Sequence, residues 1–164
     1  MAQLPQEFLT RMQEMLGDEF DAFLTSYDAP RTAGLRVNTK KCRTEDFPPL
    51  VPGTWKKIPW IPNGYFVPDG MRMGQSPLYA AGVFYLQEPS AMSTGAAADV
   101  KEGERVLDVC AAPGGKSTQV GAALKGKGIL VTNDISTSRT KALLKNVELF
   151  GCLLYTSDAA DDRI

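Results

Sequence analysis

The sequence predicts an α/β protein in which a small α+β region precedes the first strands and helices of a parallel, doubly wound sheet. Three observations support this prediction. Residues 106–150 follow the order strand, helix, strand, helix, which requires a parallel sheet with right-handed crossovers. A loop rich in glycine and alanine joins the first of these strands to its helix. Residues 47–70 hold six prolines and three glycines, which exclude long helices there.

The first 27 residues have the apolar spacing of α-helices. Apolar side chains recur three or four positions apart over residues 8–16 and again over residues 20–27. Gly17 is expected to end the first helix and Asp18 to cap the second. This part of the chain is therefore predicted to be a helical hairpin or a kinked helix.

Short apolar segments predict the strands, and longer periodic segments predict the helices. The segment 106–110 is almost continuously apolar, so we expect this strand to be covered on both faces. The other expected strands are 33–38, 82–87 and 129–133, and the expected helices are 89–99, 117–124 and 137–150.

Composition excludes several classes of protein. Apolar residues make up 43% of the 164 residues and charged residues 23%, which is typical of a globular domain. There is no histidine, which excludes Ser-His and Cys-His nucleophile pairs. Three scattered cysteines provide neither a disulfide framework nor a zinc site, so no metal is expected. No segment suits a membrane span or a signal peptide, and cytoplasm is the expected compartment, whereas the oligomeric state stays open.

Positive charge is concentrated in residues 31–57. This basic block holds seven Lys or Arg side chains against two carboxylates, whereas residues 1–30 hold one Arg against six carboxylates. A positive block in a nearly neutral chain suits a nucleic-acid surface or, equally, a solvated loop region. Trp55, Trp60 and Tyr65 lie in or near this block and could stack on unpaired bases, although such aromatic residues more often belong to a core.

The segment 106–118 carries the chemistry. A buried strand ends in the loop Cys110-Ala111-Ala112-Pro113-Gly114-Gly115, where small residues allow a ligand to approach the backbone. The following helix offers free N–H groups at its N-terminus, and Lys116 adds a positive charge. Asp134 follows the next strand, in position to accept hydrogen bonds from ribose hydroxyls. Loop and acid together predict a ligand that contains a nucleoside.

Three classes of nucleoside ligand are candidates for such a loop. A phosphate-binding loop requires glycine where this chain has Cys110, which argues against a nucleoside triphosphate. The Gly-x-Gly-x-x-Gly pattern of dinucleotide sites is absent. S-adenosylmethionine (SAM) remains, because its carboxylate and amine suit a small-residue loop that carries one lysine.

Four motifs in order resemble the Nop/Sun family of SAM-dependent RNA cytosine-5 methyltransferases, and most of all its bacterial ribosomal-RNA members. The resemblance extends from about residue 4 to residue 151. The motifs are Leu35-Arg36-Val37-Asn38, the segment Leu86 to Met92, the cofactor loop Asp108 to Lys116, and Asn133-Asp134-Ile135-Ser136 with Arg139.

The resemblance implies a fold, a cofactor and a substrate. Residues 1–75 would form an RNA-binding region, and residues 76–151 would begin a Rossmann-like SAM-binding methyltransferase domain that acts on RNA, most simply ribosomal RNA. RNA contacts are implied for Arg36, Asn38 and Arg139. The residues implied to bind SAM are Cys110, Ala111, Ala112, Pro113, Gly114, Gly115, Lys116 and Asp134.

In such enzymes one cysteine thiolate adds to carbon 6 of cytosine, which activates carbon 5 for methylation, and a second cysteine helps to release the product. The family carries these cysteines in Asp-Ala-Pro-Cys and Thr-Cys-Ser motifs, and neither motif occurs in this chain. No catalytic residue is therefore assigned, and we expect the 164-residue chain to be inactive by itself.

Residues 152–164 are expected to be a non-native tail that follows a truncated gene. Their first ten residues, Cys152 to Asp161, resemble a translated transposon-end adapter of DNA libraries. Two other functional hypotheses stay open. A non-catalytic RNA-binding remnant would retain the motifs without the chemistry, and a SAM enzyme for proteins or small molecules would leave Leu35–Asn38 unexplained.

Overall fold

The computed structural model describes residues 4–152, which belong to two compact units divided at Arg31/Thr32. The predicted tail, apart from Cys152, lies outside the described residues. The first unit contains α1 (Gln6–Leu16), a 3₁₀ turn (Gly17–Glu19) and α2 (Phe20–Ser26). Gly17 ends α1 with a φ of 51°, as expected. Asp18 does not cap α2, because it lies within the 3₁₀ turn and α2 begins without a side-chain cap.

In the second unit, the first part is an antiparallel sheet. Its strands are β1 (Gly34–Val37), β2 (Lys56–Lys57), β3 (Gly64–Phe66) and β4 (Phe84–Leu86), in the order β2-β3-β1-β4. The connections contain two one-turn helices, α3 (Phe47–Leu50) and α4 (Pro77–Ala80). Leu35 pairs with Tyr65 on one side and with Leu86 on the other. Every residue of β1 is buried, and the core beside it includes Phe47 and Phe84.

The predicted strand–helix–strand–helix order is confirmed. The elements are α5 (Pro89–Ala97), β5 (Arg105–Asp108), α6 (Gly115–Ala123), β6 (Ile129–Thr132) and α7 (Thr137–Leu149). β5 and β6 are parallel, with Asp108 opposite Thr132. Both strands therefore end at the same edge, next to the start of α6.

The prediction that the strand over 106–110 is covered on both faces is wrong for the described residues. Leu107 is 64% exposed, and Ile129 and Val131 on the neighbouring strand are 54% and 52% exposed. Burial alternates along both strands, so residues 4–152 cover one face and leave the other open. No helix within these residues is long and apolar enough to cross a membrane.

The domain boundary between residues 75 and 76 stays a prediction. β4 lies beyond this boundary, yet it pairs with β1 along Leu35–Val37. The antiparallel sheet therefore includes residues up to 86, and α5 follows it directly.

Candidate functional site

The loop between β5 and α6 continues the hydrogen bonding of the parallel strands. The N–H of Asn133 donates to the carbonyl of Asp108 over 2.8 Å, and the N–H of Ala111 donates to the carbonyl of Asn133 over 2.9 Å. Gly114 then takes a φ of 109°, which a residue with a side chain adopts only with strain. The chain turns there into α6, whose first N–H groups have no acceptor within the helix.

Asp108 anchors this loop from the end of β5. Its carboxylate accepts the hydroxyl of Ser117 at 2.7 Å and the N–H of Cys110 at 3.2 Å. The Ser117 side chain is fully buried, so the carboxylate links the end of the strand to the first turn of α6. Asp108 thus belongs to the support of the loop, a role that sequence analysis did not assign.

Asp134 joins the loop to the end of β6. Its carboxylate accepts the N–H groups of Ser136 at 3.0 Å and Ala112 at 3.1 Å. The bond from Ser136 has the largest effect on the pKa of the Asp134 carboxyl, which it holds below its ordinary value. The bond from Ala112 and the nearby Arg139 charge lower this pKa further. The group is therefore ionised at neutral pH. The next residue, Ile135, is an apolar side chain with 99% exposure.

Arg139 supports the same loop from α7. Its Nη2 donates to the carbonyl of Ala112 over 2.6 Å, and its Nη1 lies 3.5 Å from Asp134 Oδ1. The side chain remains 56% exposed, so the RNA contact implied for Arg139 stays a prediction.

The loop lines an open pocket of about 250 Å³. Gly114 faces away from it, because a Cβ at this position would meet Leu143 at 3.2 Å. Asp134 reaches the loop through the N–H of Ala112. The predicted cofactor residues that line the pocket are Cys110, Ala111, Ala112, Pro113, Gly115 and Lys116.

The opposite wall of the pocket comes from β4 and the start of α5, which sequence analysis did not assign to the site. It consists of Tyr85, Leu86, Gln87 and Ala91. Gln87 donates to the carbonyl of Ala91 over 3.2 Å, while its Oε1 is buried and has no partner among the described residues. Leu86, Gln87 and Ala91 lie within the family motif Leu86 to Met92, which is the sequence signal for this wall.

The structure contradicts an RNA-facing position for Arg36 and Asn38, since each is only 1% exposed. Arg36 Nη2 donates to the carbonyl of Gly115 and to Thr118 Oγ1. Asn38 Nδ2 donates to the carbonyls of Gly82 and Phe150. Asn38 directly follows β1 and is two positions from Arg36, so both side chains leave the chain on the same side, which meets α6 and the end of α7 rather than solvent.

The fold and this site define a class of protein. A parallel pair of strands, a small-residue loop that enters a helix, and a carboxylate at the end of the second strand are typical of Rossmann-like domains that bind nucleoside cofactors. The antiparallel sheet that precedes them is an addition to that class.

Family comparisons agree with this class and narrow it. The model described as the N-terminal domain of 16S rRNA methyltransferase RsmF matches residues 4–89. The model described as 16S rRNA methyltransferase RsmB/F matches residues 96–163, a range that includes residues outside the described part. The chain belongs to the RsmF family of 16S rRNA methyltransferases.

Curated relatives are longer than this chain. Ribosomal RNA small subunit methyltransferase F of Enterobacter sp. (strain 638) is 38% identical over 171 residues, which cover 98% of this chain and 36% of the relative. The protein of the same name from Escherichia coli (strain UTI89 / UPEC) gives the same identity and coverage. The chain thus spans about a third of the length of the curated relatives it matches.

Solved structures share the fold. A methyltransferase homolog protein from Pyrococcus horikoshii superposes with a TM-score of 0.81 at 26% identity, over 96% of this chain and 54% of that one. NSun6 from Pyrococcus horikoshii with SFG superposes with a TM-score of 0.77 at 17% identity, over 94% of this chain and 66% of that one. The second likeness concerns the fold alone.

Proposed function

We propose that this chain forms the cofactor-binding part of a SAM-dependent methyltransferase that modifies carbon 5 of cytosine in ribosomal RNA. The observation that carries the proposal is the hydrogen bond from the N–H of Ala112 to Asp134. It joins the cofactor loop and the distal carboxylate into one site, as a ligand with both a nucleoside and a charged end requires. Membership of the RsmF family supports ribosomal RNA as the substrate.

The residues of the pocket fit the methionine end of SAM. The first N–H groups of α6 and the exposed side chain of Lys116 offer positive potential for a carboxylate. Gln87 lines the pocket, and its buried Oε1 has no partner among the described residues, so a small side-chain rotation would offer this acceptor to an ammonium group. The donor set therefore matches a zwitterionic amino-acid group.

The end of β6 fits the nucleoside. A carboxylate offers about four lone-pair sites, and two on Asp134 are used by backbone N–H groups. The side chain is 2% exposed, so ribose hydroxyls would reach the remaining sites only after a shift of the neighbouring Arg139. The exposed Ile135 offers an apolar surface to a purine ring. A relative of the same fold was solved with SFG, a SAM analogue. When bound, SAM would supply an electrophilic methyl group, and these residues would hold and orient it.

RNA contacts are proposed for the exposed lysines of the basic block instead of Arg36 and Asn38. Lys56 and Lys57 form the edge strand β2 and are both exposed. Lys40 and Lys41 lie in the turn after β1 and are also exposed. Such side chains bind phosphates through charge, which predicts an affinity that falls steeply with salt.

The chain by itself is proposed to be inactive. None of its three cysteines lies in an Asp-Ala-Pro-Cys or Thr-Cys-Ser context. Cys110 belongs to the cofactor loop, so it is not available as the nucleophile that the resemblance implies. Methylation of ribosomal RNA by the purified 164-residue chain would contradict this part of the proposal.

The cofactor site is tested by titration calorimetry with SAM. Lys116→Ala and Asp134→Ala should each weaken SAM binding by about tenfold or more, because each removes a charged partner of the ligand. Lys127→Ala is the matched control, since Lys127 lies in the turn beyond the other end of α6 and pairs with Glu102. RNA affinity of all three variants should stay unchanged. Equal losses of SAM and RNA binding would indicate misfolding and contradict the assigned roles.

Substrate and position are tested with a fusion of this chain to the remaining C-terminal part of the Enterobacter relative. The fusion should transfer a methyl group to small-subunit ribosomal RNA, and mass spectrometry of its nucleosides should find 5-methylcytidine. Methyl groups on another base, or on ribose, would contradict the proposed specificity.

A further inference from the structure

Arg36 is a buried cation without an acidic partner among the described residues. It is 1% exposed, and no carboxylate of residues 4–152 lies within ion-pair distance of its guanidinium. Its Nε is buried and makes no hydrogen bond there. Burial lowers the pKa of Arg36 to about 10, so the side chain is still charged at neutral pH. A buried charge is costly unless fixed dipoles or another charge compensate it.

The dipoles that compensate this charge belong to the cofactor loop. Arg36 Nη2 donates to the carbonyl of Gly115 over 2.9 Å and to Thr118 Oγ1 over 2.8 Å. Thr118 Oγ1 in turn donates to the carbonyl of Gly114 over 2.8 Å. One side chain of β1 therefore fixes both glycines at the point where α6 begins.

Aromatic rings hold the guanidinium in this position. Its Cζ lies 5.8 Å from the centre of the Tyr85 ring and 6.0 Å from that of Phe150. Tyr85 also lines the pocket, so one of the rings in contact with the cation forms part of the pocket wall. A positive charge next to the N-terminus of a helix is unfavourable, because the helix dipole is positive at that end. A bound anion would relieve this repulsion.

We propose that Arg36 is a positioning residue for the methionine carboxylate of the cofactor, a role that rests on the proposed function. Through the carbonyls of Gly114 and Gly115 it aims the first N–H groups of α6 at the carboxylate. Its charge adds to the positive potential at the same point without contact with the ligand. The charged amino-acid end of the ligand should depend on Arg36, and its adenosine end should not.

Binding of two related ligands distinguishes effects on the amino-acid end from effects on the adenosine end. S-adenosylhomocysteine carries the amino-acid group, and 5′-methylthioadenosine retains the adenosine and the sulfur but lacks that group. With the full chain, Arg36→Met should weaken S-adenosylhomocysteine binding by about tenfold, the loss typical of one charged hydrogen bond. Binding of 5′-methylthioadenosine should change by less than about twofold, within the scatter of additivity.

Asn38→Ala is the matched control. Asn38 is equally buried and directly follows the same strand, but it contacts the carbonyls of Gly82 and Phe150 instead of the loop. This variant should affect both ligands alike. If Arg36→Met also affects both ligands alike, or affects neither, the proposal is overturned and Arg36 only supports the fold.

Thr118→Val serves where Arg36→Met fails to fold. It leaves the cation in place and removes the link between Arg36 and the Gly114 carbonyl. A selective loss of about threefold for S-adenosylhomocysteine is expected, as for one neutral hydrogen bond. Loss of the folded state in both variants would also overturn the proposal, since the role would then be one of stability. If the unaltered chain binds neither ligand, the proposed function itself fails.

Discussion

The two sheets of the second unit differ in how far their strands are buried. In the antiparallel sheet every residue of β1 is buried, and Leu35, Val37 and Phe84 have no exposed surface. In the parallel pair β5–β6, burial alternates, and Leu107 and Val131 are more than half exposed. The same chain thus contains a closed core and a sheet that is packed on one face.

This difference indicates that stability is unevenly distributed. Burial of apolar area is the main favourable contribution to folding, and the antiparallel sheet obtains it on both sides of its central strand. The parallel pair is packed on one face by α6, and its loop is held by the carboxylates of Asp108 and Asp134 and by apolar side chains of α7. We expect the first region to resist unfolding and the second to open first.

The largest effect should come from a large-to-small substitution in the closed core. Phe84→Ala should cost about 3–5 kcal/mol, because Phe84 is fully buried and would leave a cavity. Val131→Ala, on the open face, should cost less than about 1 kcal/mol. Urea denaturation followed by tryptophan fluorescence measures the first cost, since the Trp55 ring lies 5.2 Å from that of Phe47 in the core. Hydrogen exchange of the β5 and β6 amides measures the second cost. Equal costs would remove the distinction between the sheets.

An intermediate effect concerns the open face itself. The double substitution Leu107→Gln and Val131→Thr removes apolar surface that residues 4–152 leave exposed. Binding of a hydrophobic dye, together with self-association measured by light scattering, should fall by roughly half, because contiguous apolar patches drive both. The urea midpoint of the closed core should not change. Unaltered dye binding would show that the face is covered in solution.

The smallest effect should appear at low pH. The folded-state pKa of Asp134 is lowered, mainly by the hydrogen bond from the N–H of Ser136. The ionised carboxylate therefore contributes its full stabilisation of the folded loop above the ordinary pKa of 3.8. It is lost as the pH falls through the lower folded-state value. Hydrogen exchange at the amides of Ala112 and Ser136 should then accelerate several-fold, while β1 stays protected. Asp134→Asn should abolish this pH dependence, and its persistence in that variant would assign it to another group.

Local features of the site could be predicted from the sequence. The strand before the loop, the helix after it and the acid beyond the next strand depend on periodicity and small residues, which act over a few positions. The loop from Cys110 to Lys116, apart from Gly114, lines a pocket. Its far wall of Tyr85 and Gln87 was missed, because the return of β4 and α5 to the loop depends on the pairing of β4 with β1.

By itself, the sequence determined the order of the elements and the small-residue loop that joins β5 to α6, while the cofactor roles of that loop and of Asp134 stay predictions. The tertiary structure decided the surroundings of Arg36, for which the family resemblance implied an RNA contact. Its acceptor, the carbonyl of Gly115, lies 79 positions away along the chain. Net charge and local pattern cannot show whether a cation faces solvent or a distant helix terminus, because only the packing of β1 against α6 brings these groups together.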